Sequence, residues 1–248
     1  IRLSIDNPML DYDVNATGTL NVLEYSRTHG KIPVLYASTN KVFGEVSKLP
    51  LIEQTTRYDF SVPTPTYPLV PAIEMLGISE KSDMLNGKHT PYGLSKLVGA
   101  MYCQEYFHTY QIPTVVNHMS CLYGYYQQGH EDQGWVNWIM KNVLNGKVTI
   151  YGDGKQVRDL LWCEDIAELY LRELEQIDKV RGQQFAVGGG KQNTMSLLEA
   201  ITYLEELTGL KPEIEFQDWR LADQKVFYAD TTKAKILLDW QPTVSPKE

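Results

Sequence analysis

A chain of 248 residues, 43% of them hydrophobic, is long enough to bury a sizeable core and corresponds to one large domain or two intimate ones. Its formal net charge of −8 argues against nonspecific binding to nucleic acid, which needs concentrated Lys and Arg to neutralise phosphates. Cys103, Cys121 and Cys163 stand far apart with no C-x-x-C pair, which speaks against a disulfide framework and a metal site and makes the cytoplasm the default compartment. No apolar run approaches the roughly 18 residues of a membrane span, and no signal-peptide pattern opens the chain.

In chain order, Ile1 to Pro8 has no start methionine and no strand pattern. Asp13 to Ser26 has helical spacing, with Val14, Leu20 and Leu23 as core positions and Gly30 as a stop. Ile32 to Ala37 reads as a short buried strand running into Ser38-Thr39-Asn40-Lys41-Val42-Phe43-Gly44. Small hydroxyls at the carboxyl end of a parallel strand lie where open α/β sheets bind ligands. Glu45 to Lys88 is rich in Pro, Tyr and Thr, and Pro63, Pro65, Pro68 and Pro71 forbid a regular helix there. That segment is either a functional loop, with Glu53 and Arg57 as its candidates, or inert.

His89-Thr90-Pro91-Tyr92-Gly93-Leu94-Ser95-Lys96 then offers a cap, a first-turn proline, and a phenol and an ammonium four residues apart on one helical face. A tyrosine with a pKa of about 10 is a poor base at neutral pH, and a nearby Lys96 ammonium is one source of phenolate stabilisation. With 16 Tyr and 16 Lys, such a spacing arises about once by chance. It occurs twice, and the copy Tyr151-Gly152-Asp153-Gly154-Lys155 falls in a predicted turn and is assigned to chance.

Ile112 to Ser120 reads as a strand carrying a lone His118, more often a satisfied structural residue than a ligand. Asp132 to Met140 is a loop entering a helix, with Trp135 and Trp138 at core spacing. Arg158, after the turn at Gly152 to Gly154, either pairs with Asp159 or Asp165 or forks onto a diphosphate, with Arg220 as a second cation. Gly188-Gly189-Gly190-Lys191 lacks the following Ser/Thr of a P-loop. Phe185 to Gly190 is a strand entering a loop, and Ser196 opens an amphipathic helix.

Together these segments resemble the extended short-chain dehydrogenase/reductase family, the NAD-dependent nucleotide-sugar epimerases and dehydratases. The resemblance rests on Thr39 before Val-Phe-Gly, on Tyr92-x-x-x-Lys96, on Gly152-Asp153-Gly154-x-x-x-Arg158-Asp159, on Arg220-x-x-Asp223, and on the closing Asp230-x-x-Lys233-Ala234 … Leu238-x-Trp240-x-Pro242. It implies an α/β fold: a Rossmann-like parallel sheet, N-terminally incomplete, with a smaller α+β substrate domain. Residues 1–124 would be the latter part of the NAD-binding domain and 125–248 the nucleotide-sugar domain, some segments returning to the first. Nothing before Thr39 matches the family's glycine-rich turn, so two or three strand-helix units of roughly 30 residues are expected upstream.

The resemblance further implies catalysis by Thr39, Tyr92 and Lys96, and NAD contacts from Asn15, Ser38, Tyr92 and Lys96, Asn15 helping to hold the cofactor-bearing strand. Substrate contacts would come from Asn40, Lys41, Gln133, Trp135, Arg158 and Arg220. The dehydratases usually carry Asp-Glu where this chain has Asn40-Lys41, which favours epimerisation. Gln133-Gly134-Trp135-Val136 is similar to a segment of CDP-sugar 2-epimerases of the paratose and tyvelose type. His118 and Cys121 depart from the family's usual Arg and Asn or Ser. A homo-oligomer formed through helices around 15–25 and 97–110 is expected. The alternatives are a nucleotide-sugar reductase or dehydratase and a non-catalytic interaction module.

Overall fold

The computed structural model describes residues 2–46, 49–61 and 76–248, so the four prolines at 63, 65, 68 and 71 lie outside the described residues. The front of the chain is helical from the start: α1 (Arg2–Asp6), α2 (Pro8–Tyr12), a wide turn over Asp13–Thr17, and α3 (Gly18–Thr28). The wide turn closes when the Gly18 N–H reaches back to the Asp13 carbonyl, one residue more than an α-helical turn spans. That extra residue shifts the phase of the 3.6-residue pattern. Leu23 is therefore fully buried with Leu20 packed beside it, whereas Val14, expected inside, is 65% exposed.

Strand β1 (Val34–Thr39) follows, then a tight turn over Asn40–Phe43 and the antiparallel hairpin of β2 (Leu51–Glu53) and β3 (Tyr58–Phe60). Helix α4 (Pro91–Tyr110) starts where the cap reading put it, Thr90 accepting a hydrogen bond from the Gly93 N–H and Pro91 filling the first turn. Next come β4 (Thr114–Met119), β5 (Cys121–Tyr123), α5 (Trp135–Leu144), β6 (Lys147–Tyr151), β7 (Val157–Trp162), α6 (Cys163–Glu175), α7 (Ile177–Val180) and β8 (Gln183–Val187). The chain continues through β9 (Thr194–Ser196), α8 (Leu197–Thr208), β10 (Glu213–Gln217), β11 (Val226–Phe227) and α9 (Thr232–Leu238). Ser196 caps α8 in a reciprocal capping box with Glu199.

The parallel sheet has the order β1-β4-β8. Its central strand β4 is buried along Thr114 to His118, as a parallel strand covered on both faces requires. Leu23, Tyr36, Ala100, Cys103 and Val116 form the core on the α3–α4 side. Val115, Leu161, Leu169, Phe185 and Trp240 form another. The strands β5, β7, β11 and β9 make a second sheet and β6 with β10 a third. The turn at Gly152 to Gly154 does not close a hairpin. Both flanking strands exist, but β6 pairs with β10 and β7 with β5 and β11, in parallel.

A fully buried polar pair joins β4 to α6. Asn117 on β4 donates from Nδ2 to Glu173 Oε2 at 3.0 Å, both residues being fully buried. Asn117 Oδ1 and Glu173 Oε1 are left without a partner, and burial pushes the Glu173 carboxyl up to about 7.

Candidate active site

The carboxyl end of β1 and the first turn of α4 meet because Gly93 lets them. A Cβ at Gly93 would stand 2.6 Å from the Lys41 carbonyl oxygen, closer than side chains tolerate. The approach brings Tyr92 to the end of β1, where Thr39 is near enough to favour its phenolate against burial. Gly93→Ala should push α4 off this turn, destabilising the fold by about 1–3 kcal/mol and lowering turnover by about 100-fold through misplacement of Tyr92. Thermal melting and kcat measured on the same preparation check both halves.

Lys96 lies one turn further along α4, with its ammonium 4.7 Å from the centre of the Tyr36 ring. Burial, with Asp11 adding to it, pushes the Tyr92 phenol above its ordinary value, while Thr39 pulls the other way. Burial also lowers the Lys96 pKa. Among the described residues the ammonium has neither a carboxylate nor a hydrogen-bond partner, so its donors are open to an external hydroxyl. That donor set beside the Thr39–Tyr92 pair fits the ribose and nicotinamide end of NAD. The glycines at 188 and 189 pack on Asp159 and Leu160, so that cluster is no dinucleotide cradle.

Two residues read as cofactor contacts are committed elsewhere. Ser38 is buried, and its Oγ lies 3.0 Å from Nδ1 of His118, whose Nε2 lies 2.8 Å from Gln184 Oε1. Neighbouring residues on a strand point to opposite faces, so Ser38 turns inward where Thr39 faces the site. Burial holds the His118 pKa down at about 4, a structural imidazole as its setting predicts. Asn15 donates from Nδ2 to Ser95 Oγ at 3.1 Å and to Asp11 Oδ1 at 3.2 Å. It therefore ties the N-terminal helices to α4 rather than holding a strand.

On the other side of Thr39 lies an ion cluster. Asp223 Oδ1 accepts from Arg158 at 2.7 Å and from Lys41 at 3.4 Å, all three side chains being at most 17% exposed. Arg158 thus pairs with neither Asp159 nor Asp165. Asp159 accepts from Ser120 and from the Gly190 and Ala229 N–H groups, and Asp165 takes the Thr243 and Val244 N–H groups. Although burial opposes it, Asp223 is held below the usual carboxylate range by its two cations, while burial lowers Lys41. Two cations on one carboxylate leave a positive charge in a nearly dry place, a setting suited to an anion.

Arg220 stacks over the Tyr151 ring at 4.2 Å and donates to the Glu131 carbonyl at 2.7 Å. Gln133 exchanges backbone hydrogen bonds with His130, and Trp135 packs beside Cys121 and Tyr123 on the cluster of Leu160, Met195 and Ala200. Glu53 and Arg57 sit in ion pairs with Lys155 and Glu199. Because Lys155 faces Glu53 while Tyr151 bonds Glu131, the second Tyr-x-x-x-Lys spacing assembles nothing.

A family model described as the NAD dependent epimerase/dehydratase family matches residues 64–188, and one described as GDP-mannose 4,6 dehydratase matches residues 1–67. CDP-paratose 2-epimerase of Salmonella typhi is 38% identical over 99% of this chain and 71% of its own length. The chain belongs to the NAD-dependent epimerase/dehydratase family. Among solved structures, UDP-glucose 4-epimerase of Thermotoga maritima with UDP-glucose superposes with a TM-score of 0.78 at 26% identity, covering all of this chain and 70% of that one. UDP-glucuronic acid 4-epimerase of Bacillus cereus, in complex with UDP-glucuronic acid and NAD, superposes with a TM-score of 0.70 at 27% identity, over 93% and 63% of the two chains.

Within this family fold, Gln224 is the site residue that motif reading passed over. It directly follows Asp223 of the Arg-x-x-Asp motif, and that adjacency was the available signal. Asn40, read as a substrate contact, is only 6% exposed and has its amide committed to Thr39 and Gln224.

Proposed function

We propose that the chain is the catalytic part of an NAD-dependent nucleotide-sugar epimerase that inverts carbon 2 of a CDP-deoxyhexose through a keto sugar. The observation that carries the reading is the placement of Tyr92, through Gly93, at the end of β1 that bears Thr39, with the Lys96 ammonium one turn on and, among the described residues, without a carboxylate or hydrogen-bond partner. The preference for cytidine and for carbon 2 rests on the 38% identity to CDP-paratose 2-epimerase. Residues 1–124 serve the dinucleotide and 125–248 the nucleotide sugar, with β8 returning to the first sheet. The widely spaced free cysteines suit the cytoplasm.

NAD, when bound, would supply the acceptor for hydride from the sugar carbon and the donor for its return to the other face. Tyr92 takes the proton of the sugar hydroxyl as the carbonyl forms and gives it back as the carbonyl is reduced. Thr39 holds the hydroxyl in line with the phenol. Lys96 holds the cofactor ribose. Burial pushes the Tyr92 phenol up, so positive charge near it, that of Lys96 included, favours its ionisation. Arg158, Lys41 and Arg220 take the diphosphate, and Gln133 and Trp135 line the nucleotide.

Incubating full-length native protein with NAD and CDP-tyvelose in deuterated water, followed by proton NMR, should yield CDP-paratose with no deuterium at carbon 2 and no net NADH. Absence of interconversion, or solvent deuterium at carbon 2, overturns the reading. A UDP-hexose should turn over at least about tenfold more slowly.

The same reading includes a homodimer. Val22, Tyr25, Met101 and Tyr102, on α3 and α4, are 39–58% exposed, an apolar face suited to a second copy. Sedimentation should give a dimer at micromolar concentration, and Met101→Glu should shift it toward monomer.

A further inference from the structure

Tyr36 lies two residues before Ser38 on β1 and so shares its inward face, where it packs with Leu23, Ala100, Cys103 and Val116. The residue is only 8% exposed, and its hydroxyl donates to the Lys96 carbonyl on α4 at 3.2 Å. Gly99 opens the space for this contact, because a Cβ there would fall on the phenol. The ring is thereby fixed at its body by the core and at its tip by the helix.

The same ring carries the side chain of the residue whose main chain it grips. Lys96 Nζ stands 4.7 Å from the ring centre, inside the roughly 6 Å over which the negative face of an aromatic attracts a cation. Left alone, the flexible four-carbon stem of a lysine would move its ammonium through a wide volume beside Tyr92. A carboxylate could restrain it, but would occupy its N–H donors and cancel its charge. An aromatic face restrains the ammonium and leaves both the charge and the donors that point away from the ring. Packing alone asks for less, since a leucine would fill much of the same apolar space.

We propose that Tyr36 is a positioning residue, whose ring holds the Lys96 ammonium in place with N–H donors free for the cofactor ribose. The proposal rests on the epimerase reading for the ribose role of Lys96. It gives β1 two duties on its two faces: Thr39 serves the reacting hydroxyl on one, and Tyr36 steadies the cation of the cofactor site from the other. The alignment exists before the cofactor arrives, so binding need not order a loose side chain.

The test uses the full-length enzyme and NAD affinity measured by titration calorimetry. Tyr36→Phe, which keeps the ring, should bind NAD within about twofold of wild type, whereas Tyr36→Leu should bind about threefold or more weakly. In a Lys96→Met background Tyr36→Leu should change the affinity less than about twofold, because its route is already cut. An equal loss in both backgrounds overturns the proposal and leaves Tyr36 a packing residue. Should Tyr36→Leu melt too early, a trifluorinated phenylalanine at position 36 supplies the same comparison against Tyr36→Phe. Fluorine drains negative charge from the ring face and nearly preserves its shape, so NAD should again bind about threefold or more weakly. Equal affinity of the two rings overturns the proposal.

A readout independent of the cofactor is the carbon-13 titration of the Lys96 Cε, assigned with Lys96→Met. With the ring's attraction weakened, the charged amine is less favoured, and the trifluorinated variant should titrate at least about 0.3 unit below Tyr36→Phe. Asp11 on α2, and Tyr92 and Cys103 on α4, are the other titratable groups around this ammonium, and none of them is altered. An unmoved midpoint overturns the proposal. If Lys96→Met binds NAD as tightly as wild type, the ribose role of Lys96 fails, while the titration still decides whether the ring holds the ammonium.

Discussion

Replacing Tyr92 by Phe should lower kcat about 10³-fold and leave KM within about threefold. The ring keeps its packing at the start of α4, so the loss isolates the phenol oxygen. Because burial pushes this phenol up, the wild-type rate should rise with pH until Tyr92 ionises, and the variant should lose that limb. NAD retention by native mass spectrometry controls for the cofactor site. A variant with more than about a tenth of wild-type activity would place the proton acceptor elsewhere.

Glu173→Gln should stabilise the protein by about 1–3 kcal/mol at pH 8. In the wild type, Asn117 Nδ2 satisfies one carboxyl oxygen, and the opposite pair, Glu173 Oε1 and Asn117 Oδ1, is buried and unsatisfied. A glutamine keeps the acceptor and supplies the missing donor, closing a two-bond ring with Asn117. The pH dependence has a definite sign. With a carboxyl raised from 4.5 to about 7 in the fold, the native state binds the proton more tightly than the unfolded chain. Stability is therefore greatest below 4.5 on this account and falls by about 3 kcal/mol as pH rises through 7. Urea denaturation from pH 5 to 8 should show the decline in the wild type and a flatter profile in Glu173→Gln. Asp159, pushed up to about 6 by burial, contributes with the same sign in both proteins. Equal slopes would show that Glu173 is not the group responsible.

Local signals carried much of this molecule. Thr90-Pro91 announced α4, the Ser196 and Glu199 spacing announced α8, and the Thr39 and Tyr92 motifs pointed to residues that the fold brings to the same end of β1. The misses have a common cause, which is dependence on partners far along the chain. Whether Arg158 meets a neighbour or Asp223, 65 residues away, is decided by how β7 and the Arg220 segment pack. Asn40 and Gln224 are separated by 184 residues, and no periodicity couples them. Val14 failed for a local reason, because a wide turn resets helical phase without a marker residue.

The inward Ser38–His118–Gln184 chain pins three adjacent strands to one another, with Ser38 opposite His118 on β4 and Gln184 on β8. A slip of β1 by a single residue would exchange the two hydroxyls between the sheet's faces, seating a threonine methyl against the imidazole and offering a serine to the substrate. An apolar interior would tolerate that misalignment at small cost, whereas a histidine stranded without its hydroxyl would not. The buried imidazole thus acts as a ruler for the strand, and the alignment of the reacting groups is guarded from the side of the sheet that no substrate visits.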